Sequence, residues 1–424
     1  MHSGLGHCRY AKWPSPYPAG DMRVLIVESG FTRGALAGCR ALAVAGWSVG
    51  VGSPTPRGLA ASSRYARRWH RIPSVEKDLD AFLRATQTAV REGGYEVVFC
   101  SEDAQALGLS YGRDRISAVV PYPDHDVVVR AFDKFELSLA AGRTGMASPR
   151  TVLADDDGIA DVQLPVLVKS RLHWTPGSSG APARLEAAIF SERAAVRRRV
   201  LDIRDHGGDA VLQEVVRGRL IHYMALVEHG EILAGVQTIA EPLFYPGPDV
   251  GQRIRSESVP VDEDLHARTS ALMRELKWEG LASLNLLSPF EGGELVLIDF
   301  NGRFGASFDQ YIAAGPNFPA MAASLATGRP VPPVGPVRVG VKFQWLEGDL
   351  RRAWRQRRGG LVRDIVDCLA YARGAVHTLW RWDDPMPTVR LAARLIGEVL
   401  GKLWTSARAA RPSRGSALPP GQRP

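Results

Sequence analysis

Leu297-Ile298-Asp299-Phe300-Asn301-Gly302-Arg303-Phe304-Gly305 starts as an apolar strand and ends in a glycine-flanked turn, with a polar group at every second position from Asp299. Strand alternation places Asp299 and Asn301 on one face. An acid and an amide oxygen suit a magnesium ion, which takes one or two protein oxygens and leaves its other positions to phosphate or water. Arg303, just past the strand, has the planar fork that grips phosphate. An ordinary polar hairpin accounts for the acid and the amide, but not for the arginine or the adjoining Gly302 and Gly305.

The segments upstream extend the pattern. Leu281 to Leu287 and Glu294 to Phe300 read as two strands around Glu291-Gly292-Gly293. Asn285 and Asp299 are equidistant from Gly292, so a symmetric antiparallel hairpin sets them opposite each other. Asn285, Asp299 and Asn301 then offer three oxygen ligands to one spot. Val211 to Val216 reads as a strand whose Gln213-Glu214 pair has backbone groups able to read an adenine edge, with Glu214 accepting from its amino group. Leu164 to Ser170 is a strand with Lys169 near its end, followed by Trp174 to Gly180, a loop dense in turn residues that includes Ser178 and Ser179. A lysine there either snorkels to water or joins the loop amides in holding phosphate. Ala131 to Thr144 reads as a helix carrying Asp133-Lys134 at its start, a pair that in isolation reads as solvated. Leu220 to Val227 and Glu231 to Val236 form a hairpin around His229-Gly230, and Glu186 to Val200 and Asp262 to Leu276 read as helices. Arg253 and Arg255, between that hairpin and the last of these helices, are either substrate-carboxylate arginines or part of a solvated loop.

The N-terminal part alternates strands (Arg23 to Val27, Trp47 to Val51, Tyr95 to Cys100) with helices (Gly34 to Gly46, Lys77 to Glu92), which predicts a parallel α/β sheet. A dinucleotide site is disfavoured. Gly30, Gly34 and Gly38 do not form GxGxxG, and the second strand ends in Gly52-Ser53 with no acid for a ribose. Asp124-His125-Asp126, after Pro121-Tyr122-Pro123, reads as a turn rather than a metal cluster.

In this order, Asp133-Lys134, Pro165 to Lys169, Leu212 to Val216 and Leu297 to Gly305 resemble the nucleotide-binding segments of the ATP-grasp carboxylate–amine ligases, whose closing motif is usually Glu, any residue, Asn, Pro, Arg. The resemblance covers about Met22 to Gly328. It implies an N-terminal parallel α/β domain (22–125) and a two-part ATP-grasp domain with antiparallel sheet (126–335, its lid about 150–215). Outside that span, residue pattern predicts a helical C-terminal extension (336–405), and ends rich in Pro, Gly and Ser (1–21 and 406–424) read as disordered. The resemblance also implies ATP as a substrate held by Lys134, Lys169, Ser178, Ser179, Gln213, Glu214 and Val216. Magnesium, one or two ions or manganese in their place, would sit on Asp299, Asn301 and Asn285. Arg303 and Lys169 would be catalytic. A carboxylate would be phosphorylated to an acyl phosphate, which an amine then attacks. Three departures stand out: Asn285 where the family usually has an acid, Gly302 for proline, and Arg217-Gly218-Arg219 where an acid commonly helps bind ribose. The first keeps open an alternative, a catalytically weakened nucleotide-binding or regulatory protein.

Bulk properties agree with a multi-domain enzyme. A chain of 424 residues, 45% hydrophobic, needs two or three packed units. Cys8, Cys39, Cys100 and Cys368 are far apart, which fits no disulfide framework or zinc site and suits a reducing cytoplasm. The first 21 residues lack the apolar core of a signal peptide. Arg351 to Gly360, Val362 to Trp380 and Pro387 to Trp404 look helical. Some of the net charge of +8 lies in the last eighty residues, and scattered solvated arginines are the commoner state, so nucleic acid is a disfavoured partner. Contact of the 387–404 helix with anionic lipid is the weaker reading beside packing on its own domain. Many relatives are dimers, so the resemblance leaves a homodimer open.

Overall fold

The computed structural model describes residues 22–176, 186–241, 243–246 and 251–409. The expected disordered N-terminus, residues 410–424 and the loop containing Ser178 and Ser179 lie outside them.

The chain opens with β1 (Arg23–Val27), α1 (Arg33–Val44), β2 (Ser48–Ser53), β3 (Ala66–Arg71), α2 (Leu79–Gly93), β4 (Val97–Cys100) and α3 (Asp103–Tyr111). The four strands form one parallel sheet in the order β3-β2-β1-β4. Four of the five β1 residues are buried, as a strand covered on both faces requires. The sequence reading missed β3, because Ala-Arg-Arg-Trp-His-Arg has little apolar pattern. It is an edge strand, where charged side chains are tolerated and discourage further pairing.

Two helices then follow, α4 (His125–Phe132) and α5 (Lys134–Arg143). The Asp124-His125-Asp126 turn is corrected: His125 opens α4. Asp133 separates the two helices, and its carboxylate caps α5 by accepting from Phe135 N and Glu136 N.

A small antiparallel sheet comes next, from β5 (Thr151–Leu153), β6 (Val166–Ser170), β7 (Ala188–Phe190) and β8 (Ala210–Glu214), with α6 (Asp156–Asp161) and α7 (Arg193–Asp205) against it; strand order is β5-β8-β6-β7. Its apolar residues form a core of their own, including Val166, Val168, Val196, Val200 and Leu212. The predicted helix from Glu186 is corrected here. Residues 188–190 pair with β6 as a strand, and the helix starts only at Arg193.

The third and largest sheet has seven strands in the order β15-β14-β9-β10-β13-β16-β17, from β9 (Gly218–Glu228), β10 (Glu231–Ala240), β13 (Arg255–Val259), β14 (Gly280–Pro289), β15 (Val296–Asn301), β16 (Lys342–Gln344) and β17 (Ala375–Val376). All its pairs are antiparallel except the last. A short ribbon of β11 (Phe244–Pro246) and β12 (Gly251–Arg253) precedes β13. Helices α8 (Glu263–Leu276), α9 (Phe308–Ala314) and α10 (Phe318–Ala326) complete this part. The C-terminal helices are α11 (Leu346–Gln356), α12 (Leu361–Ala372) and α13 (Met386–Ala409). The predicted helix to Trp380 stops at Ala372, and β17 instead extends the seven-stranded sheet. The last helix runs beyond Ser406, where a disordered tail was expected. Cys39, Cys100 and Cys368 are free and buried.

The N-terminal sheet is joined closely to the segment after β15. A Cβ on Gly34 would lie 2.5 Å from the Phe304 carbonyl oxygen, and one on Gly38 would lie 2.3 Å from the Phe304 ring. These α1 glycines, which fit no dinucleotide pattern, are close-approach positions. Phe304 enters beneath α1 and stacks on Phe99, with ring centroids 4.8 Å apart.

Candidate functional site

The hairpin β14–β15 pairs Asn285 with Asp299, as the spacing about Gly292 predicts, with a bulge just after Asn285. Asp299 Oδ2 accepts from Asn301 Nδ2 at 3.2 Å and from Asn285 Nδ2 at 3.4 Å. Three oxygen-bearing side chains therefore meet on one face. The other amide oxygen of the cluster, Asn285 Oδ1, is buried with no hydrogen-bond partner. Arg303 Nη2 donates to Asn301 Oδ1 at 2.8 Å, and its Nε donates to Asp103 Oδ1 at 2.9 Å. The arginine thus ties the hairpin to the first turn of α3.

Both predicted lysines reach this hairpin. Lys134, the first residue of α5 and buried, has Nζ 3.6 Å from Asp299 Oδ1 and donates to the Phe132 carbonyl. Lys169, on β6, donates from Nζ to the Ile298 carbonyl at 3.1 Å. Elements from three regions of the sequence thus bring two ammonium groups to one hairpin, Lys134 at the Asp299 carboxylate and Lys169 at the neighbouring backbone carbonyl. Burial works against ionised Asp299, but Lys134 and Lys169 hold its carboxyl below the usual carboxylate range. Burial pushes the Lys169 ammonium down to about 8, with Asp299 opposing and Lys134 assisting. Asp133 is no solvated partner of Lys134. It is buried and pairs with Arg171 Nε at 2.7 Å.

A cavity of about 510 Å³ opens on the hairpin. Its wall includes Asn285, Asp299, Asn301, Arg303 and Arg253, and on the N-terminal side Arg33, Glu102 and Asp103. Lys134, Lys169, Gln213 and Glu214 are not in that wall. Gln213 is buried, with Nε2 donating to Thr151 Oγ1 at 2.9 Å; Glu214 is exposed at the strand end and accepts from Arg150 N; Val216 lies two residues beyond, half-buried. A second, mostly apolar cavity of about 340 Å³ lies behind Gly302, lined by Phe99, Tyr122, Leu281 and Leu325 among others. Of the predicted positions it touches only the glycine.

The two candidate substrate arginines sit in strands rather than in a solvated loop, and they differ. Arg253 is buried against hydroxyls, donating to Thr238 Oγ1 at 2.9 Å and to Ser307 Oγ, with Tyr311 OH at 3.4 Å. No carboxylate hydrogen-bonds it among the described residues, and it faces the cavity. Arg255 is absorbed into the fold: it donates to Asp349 and Asp367, both at 2.6 Å, and lies 3.6 Å from Glu241.

Several site residues escaped the sequence reading. Asp103 is held down to about 2: its burial opposes ionisation, and Arg303, His173 and Lys134 outweigh it. His173 Nε2 is 3.8 Å from its carboxylate. His222, beside Asn285 across β9 and β14, is kept neutral by burial and by Arg253. Glu28, buried at the tip of β1, lies outside the cavity wall but accepts from Thr32, which is part of it; burial pushes it up to about 7, against hydrogen bonds from Gly30 and Thr32. Only the position of Glu28 at a parallel strand's C-terminal end, where ligands gather in such sheets, could have flagged it.

No protein-family model matches this chain, and no curated protein matches it in sequence. Solved structures do match in fold. An N5-carboxyaminoimidazole ribonucleotide synthetase in complex with ADP superposes with a TM-score of 0.56 at 14% identity, covering 80% of this chain and 85% of that one. The L-amino acid ligase of Bacillus licheniformis gives 0.56 at 12% identity over 76% and 78%. The biotin carboxylase domain dimer of Hydrogenobacter thermophilus 2-oxoglutarate carboxylase, solved with MgADP, ADP and bicarbonate, gives 0.56 at 14% over 75% and 73%. At 12–14% identity the likeness is one of fold. What these structures share with the present chain is the ATP-grasp fold.

Proposed function

We propose that this chain is an ATP-dependent ligase that joins a carboxylate to an amine through an acyl phosphate, releasing ADP and phosphate. The observation that carries the reading is the convergence of Lys134, Lys169 and Arg303 on the Asp299–Asn301 hairpin, beside a cavity with a buried arginine. Such a site needs no side-chain nucleophile; positioning and charge neutralisation suffice for phosphoryl transfer. Lys134 and Lys169 would offset charge on the α- and β-phosphates. Gln213, Glu214 and Val216 would meet the adenine, and the loop with Ser178 and Ser179 would cover the phosphates.

The donor set fits magnesium or manganese. Asp299 supplies charge, and the buried Asn285 Oδ1 lacks any partner among the described atoms, as expected of a ligand oxygen. Asn285, Asp299 and Asn301 would hold the ion, which when bound draws charge from the triphosphate. Arg253 would hold the acid substrate. Its carboxylate oxygen attacks the γ-phosphorus as the bond to the β–γ bridging oxygen breaks. The amine then attacks the acyl carbon, phosphate leaves, and the amine loses its proton to water. Arg303 would meet the charge that develops on the transferred group. One such donor is typically worth ~3–4 kcal/mol of barrier, so its removal should cut turnover roughly a hundredfold or more. A cytoplasmic location and a homodimer belong to the same proposal.

A phosphate-release screen over amino acids, small carboxylates and amines tests it, with Lys169→Ala as the control for contaminating ATPase. Magnesium-dependent ADP that needs both an acid and an amine supports the ligase. ATP binding without turnover across the panel, with turnover appearing in Asn285→Asp, supports the regulatory alternative that the amide at 285 motivates.

A further inference from the structure

Charge is unevenly placed along this chain. Residues 1–344 hold equal numbers of acidic and basic side chains, whereas residues 345–424 hold 15 Lys and Arg against 7 Asp and Glu. The whole excess of +8 therefore follows Gln344. The fold sharpens the bias, because Asp349, Asp364 and Asp384 are buried, while Asp367 and Asp383 are paired with Arg255 and Arg381. Arg358, Arg363, Arg373 and Arg390 are exposed on the same C-terminal region.

Helix α12 in this region is built inside out. Its buried positions are Asp364 and Cys368, held by Arg352 of α11. Opposite them, Val362, Val366 and Leu369 recur at four and three residues and so form one stripe. They are 76%, 60% and 48% exposed. An ordinary surface helix turns such a stripe inward. Here the inner face is committed to ion pairs among Arg255, Asp349, Arg352 and Asp364, so the apolar stripe faces out. Trp354, on the last turn of α11 beside the connection to α12, is 62% exposed and carries the Arg357 guanidinium over its ring at 5.7 Å.

We propose that the outer face of α12, with Trp354 and the surrounding arginines, docks on the surface of an anionic lipid bilayer. Apolar side chains and an interfacial tryptophan ringed by arginine are the chemistry of a helix lying in the headgroup region. No described helix is long and apolar enough to cross a membrane, so the contact is peripheral. A second copy is a poorer occupant, since a twofold contact would set two strongly basic faces against each other. Nucleic acid would pair with the arginines but leave the valine–leucine stripe unused.

The test is sedimentation of the full chain with phosphatidylcholine vesicles and with mixed phosphatidylcholine–phosphatidylserine vesicles. Binding is expected on the anionic vesicles alone, and it should weaken as salt shortens the screening length. Arg363→Glu moves two unit charges and should weaken binding about thirtyfold; Val362→Asp with Val366→Asp should weaken it at least about tenfold. ATP binding and the melting temperature should not change, because these side chains are exposed and far from the hairpin in sequence and contacts. Absence of binding, equal binding to neutral vesicles, or variants that bind like the wild type overturn the proposal. So do a soluble dimer dispersed by the valine pair, and retention on an RNA oligonucleotide that the valine pair leaves intact.

Discussion

Lys169 gives the site a pH signature. Its ammonium, held down to about 8 by burial, must carry charge to attract a phosphate. Below that value it is protonated, and above it the charge and the attraction are lost. With simple titration the charged fraction falls from about nine-tenths at pH 7 to about one-tenth at pH 9. If the neutral amine contributes little, ATP affinity should fall about tenfold over that range, or ~1.4 kcal/mol. Bound triphosphate would in turn raise the lysine's pKa, so ATP binding at alkaline pH should take up a proton. The assay is calorimetric titration with ATP and magnesium from pH 7 to 9, in buffers of different ionisation enthalpy. Lys169→Arg stays charged throughout and should remove the slope. Titration of the nucleotide itself appears in both proteins and cancels. A wild-type affinity flat over this range, or a slope that persists in Lys169→Arg, would refute the argument that this lysine faces the phosphates.

Three further outcomes follow from named contacts. Asn285→Asp sets a second carboxylate beside Asp299, now only 3.4 Å from the amide nitrogen; without divalent ions it should melt lower than the wild type, and magnesium should raise its melting temperature more. An equal magnesium response in both proteins counts against a metal at this hairpin. Gly34→Ala puts a methyl 2.5 Å from the Phe304 carbonyl oxygen, a backbone atom that cannot swing aside; a loss of about 1–3 kcal/mol is expected in urea unfolding, and an unchanged midpoint would reject the close-approach account. Asp103 has a folded pKa of about 2, below its unfolded value, so its contribution, about 2 kcal/mol, is present above pH 4 and lost as pH falls towards 2. The stability gap between wild type and Asp103→Asn should therefore shrink on acidification; a gap constant with pH excludes this linkage.

The sequence by itself determined the alternating N-terminal strands and the hairpin at Gly292 with its Asn285–Asp299 register, and it singled out the lysines and the arginine that reach that hairpin. These are local facts: strand alternation, a symmetric turn and polar groups at fixed spacing need no knowledge of distant neighbours. It misread β3, β7 and the end of α12, where short segments take their conformation from the strand or network beside them rather than from their own pattern. Only the tertiary structure decided which charges meet. Arg253 and Arg255 are two residues apart on extended backbone, yet one faces the cavity and the other is consumed by acids almost a hundred residues later. Asp103 carried no signal in its own segment, because its role comes from Arg303, two hundred residues along the chain. Electrostatic partnership depends on distance in space, and pattern along a chain records only which face a residue takes.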